Sequence, residues 1–107
     1  MEKIIYTPRA KKKIEQLFTA LLKKGYFFEV ENALDYIANI DKAISNISDA
    51  THHKTKNPYF GKWYIKYKAN RKTTWYIFFD KDNEGYLIKN IINNHTNDNP
   101  RYIASFI

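Results

Sequence analysis

The hydrophobic pattern of this chain changes period twice. Ile4, Ile5 and Tyr6 form a short β-branched and aromatic run, which predicts a first strand over 3–6. Thr7 and Pro8 then signal a helix start, Thr as N-cap and Pro at the first helical position. Ile14, Leu17, Phe18, Leu21 and Leu22 follow at i, i+3, i+4, i+7 and i+8, an apolar stripe down one side of a helix. Lys23, Lys24 and Gly25 close it, with cations in the last turn and glycine as the stop. Phe27, Val30, Leu34, Ile37, Ile40, Ile44 and Ile47 recur at three- and four-residue steps, so a second helix is expected over about 29–47. The short link at Gly25 makes the pair an antiparallel hairpin.

From residue 62 the period falls to two. Trp63, Ile65 and Tyr67 alternate with Lys62, Tyr64, Lys66 and Lys68, which predicts a strand with one apolar and one basic face. After a turn at 69–72, residues 73–79 are nearly all strand formers, the mark of a central strand. A second turn, 80–85, leads to a last strand over 86–92. Residues 48–61 read as a loop, with His52, His53, Asn57-Pro58 and Gly61, and the tail 93–107 is polar and then apolar. No repeat, linker or low-complexity stretch breaks the chain, so 1–107 is read as a single domain. The order β-α-α-β-β-β predicts an α+β fold, a helix hairpin packed on one face of a twisted antiparallel sheet. The other face is then left carrying the lysines.

Composition narrows the chemistry. There is no cysteine, which excludes disulfides, thiolate metal sites and thiol catalysis. No apolar run approaches the ~20 residues of a spanning helix, and the first residues do not resemble a secretory leader, so a cytoplasmic protein is expected. Lys and Arg outnumber Asp and Glu by 18 to 11, a net charge of +7. The charge is segregated: residues 54–72 hold seven basic residues and no acid, while 28–50 hold five acids and one lysine. One strongly positive face and an anionic partner are expected. Neighbouring histidines at 52 and 53 lack a helical i, i+4 pairing or a nearby carboxylate, and the acids at 80, 82 and 84 are too short-spaced for a calcium loop; no metal or other cofactor is expected.

Thr7-Pro8-Arg9-Ala10 after a short strand, a Lys-rich first helix, Gly61-Lys62-Trp63-Tyr64-Ile65-Lys66-Tyr67 turned back onto Trp75-Tyr76-Ile77-Phe78-Phe79, and Tyr86-Leu87-Ile88-Lys89-Asn90-Ile91-Ile92-Asn93-Asn94-His95 together resemble the RelE/ParE toxin superfamily over almost the whole chain. The resemblance implies a bacterial toxin neutralised by a cognate antitoxin protein. RelE-like members are ribosome-dependent mRNA endoribonucleases; ParE-like members poison DNA gyrase without being nucleases. A basic binding module without toxicity is the plainest alternative, because fold does not fix function.

Metal-free RNA cleavage needs a group to take the 2′-OH proton, another to protonate the leaving oxygen, and cations against the charge gathering on phosphate. Lys66 looks like a functional family lysine of that strand. The family's catalytic arginine falls near Thr73 or Thr74 here; this chain has none there, and Arg71 in the turn is the nearest substitute. His95 stands where an arginine is found in RelE-like toxins, and imidazole suits proton transfer near neutral pH. Tyr102 matches a later tyrosine that stacks or assists. Lys66, Arg71, His95 and Tyr102 are thus the candidate catalytic set. Lys62, Tyr64, Lys68, Lys72 and Asn94 are candidates for binding RNA, by phosphate contact, base stacking or hydrogen bonding. Each has a plainer reading, as solvated strand lysine, turn residue, strand end or tail anchor. Leu21, Tyr26, Phe27 and Phe28 are the candidate antitoxin groove.

Overall fold

A computed structural model describes residues 3–23, 30–95 and 100–107. Lys24, Gly25, Tyr26, Phe27, Phe28 and Glu29, on which the helix stop, the hairpin link and most of the antitoxin groove were placed, lie outside the described residues. The elements run β1 (Lys3–Tyr6), α1 (Pro8–Lys23), α2 (Val30–Ser45), β2 (His53–Lys54), β3 (Trp63–Lys68), β4 (Thr74–Lys81), β5 (Gly85–Asn93) and α3 (Pro100–Ala104). Single 3₁₀ turns sit at Ile47–Asp49 and Pro58–Phe60. Among the described residues no helix is long and apolar enough to cross a membrane.

The protein is α+β, as the pattern predicts, but its sheet is mixed rather than antiparallel. The strand order is β1-β5-β4-β3-β2, with β1 parallel to β5 and every other pair antiparallel. The reason is topological. β3, β4 and β5 reverse through short turns closed by Asn70 and Asp82, whose side-chain oxygens accept the N–H of Lys72 and Thr73, and of Glu84 and Gly85. β1 reaches the sheet through the two helices, the kind of crossover a parallel pair requires.

The α1 start is built as its residues dictate. Thr7 Oγ1 accepts the Ala10 N–H at 3.2 Å, and Thr7 N–H bonds Ile88 O at 2.9 Å, seating the cap on β5. Ala10, Ile14 and Leu17 of α1 and Tyr36, Ile40 and Ile44 of α2 then pack with Trp63, Ile65, Tyr67, Trp75, Ile77, Phe79, Tyr86, Ile88 and Ile91 of the sheet. The Trp75 indole N–H is satisfied inside this core by the Tyr36 hydroxyl at 2.9 Å. Leu34, expected in the α2 stripe, is 52% exposed, and Ala33 is buried in its stead. The buried face is centred on Ala33, Ile37, Ile40 and Ile44, and Leu34 lies roughly 100° around the helix from Ala33.

A bulge in β5 decides which residues reach each face. Phe78 pairs with Asn90 but Phe79 pairs with Ile88, so Lys89 is the extra residue. Beyond it the alternation shifts by one: Ile91 joins Tyr86 and Ile88 under the helices, and Asn90 and Ile92 turn to the opposite face. That face is not left open. Phe60, Ile103 and Phe106 pack on Tyr64, Phe78 and Ile92 as a second apolar cluster, and Lys56 N–H bonds Phe106 O at 2.9 Å. The expected loop 48–61 likewise contains β2, and its histidines are fixed. His52 Nε2 lies 2.7 Å from Ile47 O, with the ring edge-on to Phe79 and Tyr86, while His53 stacks on Tyr64.

Tyr6 links β1 to α2 through a 3.2 Å hydrogen bond from its hydroxyl to Asp41 Oδ1. Burial, then the Asp41 charge and that bond, push the phenol far above its ordinary value. The folded state therefore holds this proton more tightly than the unfolded chain. Its contribution is fully present below the ordinary tyrosine value of ~10 and is lost as pH rises beyond it. Tyr6→Phe is expected to lower stability at neutral pH by at most about 1 kcal/mol, because Asp41 is exposed. Urea melts above pH ~10 should then fall less steeply with pH than those of the wild type.

Candidate nucleic-acid interface

The strand register places the predicted residues. On the face away from α1 and α2, Lys66 of β3 lies opposite Tyr76 of β4, and Tyr76 opposite Ile92 of β5. In the next row Lys68 lies opposite Thr74. Thr74 N–H then bonds Asn94 Oδ1 at 2.9 Å, and Asn94 N–H bonds Thr74 O at 3.2 Å. Asn94 Nδ2 donates to Lys72 O at 2.9 Å, so one amide ties the end of β5 to the β3–β4 turn that carries Arg71 and Lys72. His95 completes this end of the sheet. Its ring Nε2 lies 3.2 Å from Thr73 Oγ1, and its backbone N–H donates to Asn93 Oδ1 at 2.9 Å.

Lys66, Lys68, Arg71, Lys72, Asn94 and His95 are all exposed and lie toward the β3–β4 turn end of the sheet. Lys66 and Lys68 are on the face away from the helices, while Thr73 and Asn93, the partners of His95, have the strand parity of Trp75 on the other face. Stretches 62–79 and 85–95, which build this end, contain no Asp or Glu. The charged side chains these stretches bring here are therefore all basic, which suits an anionic partner.

Four predicted residues, Lys62, Tyr64, Leu21 and Tyr102, are placed otherwise. Lys62 shares the face but lies at the far end of β3, ~13 Å along the strand from Lys66 by strand rise. There its N–H donates to Asp80 Oδ1 at 2.8 Å, and Asp80 pairs with Lys89 at 3.3 Å, so that end has mixed charge. Tyr64 is 7% exposed, with His53, Tyr76 and Phe78 against its ring. It offers no open face to a base, and burial, with Tyr76 adding a smaller effect, raises its phenol above the ordinary value. Leu21 is buried, 8% exposed, and the other groove residues, Tyr26, Phe27 and Phe28, lie outside the described residues. Tyr102 is half-buried on α3, edge-on to Phe106 at 5.3 Å, and packs at the margin of the second cluster. Asn94 spends its amide on the hairpin and acts as a fastener. Among the described residues no three of His, Asp and Glu gather as a metal site.

Thr73 and Tyr76 were not singled out by the pattern. The tie between Thr73 and His95 spans 22 residues, a separation across which local periodicity carries no information. Tyr76 carried one signal, its strand parity, which sets it on the face opposite Trp75 and Ile77. No protein-family model matches the chain, and no curated protein matches it.

Proposed function

We propose that this chain is the toxin of a type II toxin–antitoxin pair, a RelE-like endoribonuclease that cuts mRNA on the ribosome and is silenced by a cognate antitoxin. The observation that supports the reading is the end of the sheet at the β3–β4 turn, where His95 is tied to Thr73 and the exposed Lys66, Lys68, Arg71 and Lys72 lie on strands and a turn that carry no acid. In this reading Lys66 and Arg71 hold the scissile phosphate and oppose the charge that builds on it. His95 moves a proton as acid or base, and Tyr102 stacks or assists from the margin of the site. An acidic antitoxin segment covers the same cations.

A second reading, a ParE-like gyrase poison, is favoured by one feature: threonine occupies both 73 and 74, where the resembled nucleases carry arginine. Induced expression separates the two. Arrest of translation with cut messages supports the nuclease, DNA breaks with filamentation support the poison, and undisturbed growth removes both. Lys66→Ala is expected to weaken toxicity with a native circular dichroism spectrum, since the side chain is exposed. Loss of one phosphate contact should also lower the slope of log affinity for single-stranded RNA against log salt by ~0.7.

A further inference from the structure

Tyr76 occupies a position that the functional reading leaves unused. On β3 its direct neighbour is Lys66, and its diagonal neighbours are Tyr64 and Lys68; on β5 its direct neighbour is Ile92, next to Asn90 and Asn94. Its register neighbours on β3 and β5 are thus two lysines, one ring, one apolar side chain and two amides, with no carboxylate among them. The roof formed by Phe60, Ile103 and Phe106 buries Tyr64 and Phe78, at 7% and 0% exposure, while Tyr76 is only partly buried, packed at the margin of this cluster with Tyr102 and Ile107. Among the described residues its one ring contact is Tyr64, at 6.0 Å and tilted by 59°, which props one flank. Neither lysine is seated on its face; the cation held over a ring among the described residues is Lys81, 4.2 Å from the Trp63 centroid.

We infer that Tyr76 is the seat of an unpaired nucleobase, with Lys66 and Lys68 on the flanking phosphates. The inference rests on the RNA reading above and names its substrate class: single-stranded RNA whose bases are free to stack. A base has a π-face whatever its identity, so the seat binds strand state more than sequence. A duplex hides its base faces, and Tyr76, on a sheet face and not on a projecting loop, does not reach between stacked pairs.

The test uses the intact chain and a short fluorescent 2′-O-methyl oligonucleotide, which lacks the 2′-OH nucleophile and is not cut. It is compared with a strand of the same length and charge made of abasic units. The wild type is expected to bind the base-bearing strand about tenfold more tightly. Tyr76→Leu, which keeps apolar packing against Ile92, should bind both strands equally, with its affinity for the abasic strand unchanged, and Tyr76→Phe should retain the preference. A full preference in Tyr76→Leu, or none in the wild type, overturns the inference and leaves the cationic site standing. A wild type that binds neither strand overturns the RNA reading and the inference with it.

Discussion

Cleavage of RNA by His95→Ala is expected to be slower than wild type by about 10²–10⁴-fold, the usual worth of a positioned general acid or base. Binding should survive, because the lysines that attract phosphate are untouched. The ring is exposed and its polar contact is with a single hydroxyl, Thr73 Oγ1, so its removal should leave the thermal midpoint near that of the wild type. His95→Gln is the sharper variant. A carboxamide can still hydrogen-bond Thr73 but cannot carry a proton to or from the ribose, so it should be as inactive as alanine. Thr73→Val keeps the imidazole and removes its anchor. The expected loss is smaller, about tenfold, and arises from a ring that spends less time in the reactive orientation. Cutting at the wild-type rate by His95→Ala would remove His95 from the chemistry, whatever remained of RNA binding.

The parts of this protein that were legible in the sequence are those fixed by neighbours in the chain. Thr7 and Pro8 mark the start of α1 because capping is a three-residue interaction. The alternation over 62–68 sorts Trp63, Ile65 and Tyr67 from Tyr64, Lys66 and Lys68 because a strand has a fixed period of two. What stayed hidden is set by distant contacts. β2 is two residues long, too short for any period, and exists because His53 and Lys54 meet β3. The β5 bulge at Lys89 has no local signature, yet it decides that Asn90 faces away from the helices. Pro100 was an available helix signal, but a five-residue helix such as α3 shows no apolar stripe. Missing α3 meant missing the roof, and without the roof Tyr64 reads as an open ring on the lysine face, although the roof buries it. The lysines were readable because charge stays at the surface wherever the chain goes. The aromatic residues were not, because an aromatic side chain is core or surface according to what folds over it.

Gly85→Ala should strongly damage the scaffold, lowering stability by roughly 3 kcal/mol, the sum of two separate penalties. Gly85 has φ +154°, a conformation that residues with a side chain rarely adopt. It also lies directly opposite Lys3 where β1 runs parallel to β5. A Cβ there would overlap the Lys3 carbonyl oxygen and come within 2.6 Å of Lys3 N and 2.8 Å of Lys3 C. All three are backbone atoms, so no rotamer change relieves the overlap; the chain must part. Parting also strains the 3.0 Å bond from Lys3 N–H to Glu84 O, which holds the start of β1 to the β4–β5 turn. Because Thr7 caps α1 from its seat on Ile88 and Lys89, a displaced β1 loosens the helix layer over β5 as well. For a domain of about 100 residues the expected fall in thermal midpoint is roughly 12–24 °C. Lys3→Ala, which alters the exposed side chain and not the backbone, should stay within about 0.5 kcal/mol of wild type. If Gly85→Ala melts with the wild type, β1 does not pair with β5 in this register, and the parallel edge that seats α1 on the sheet is lost with it.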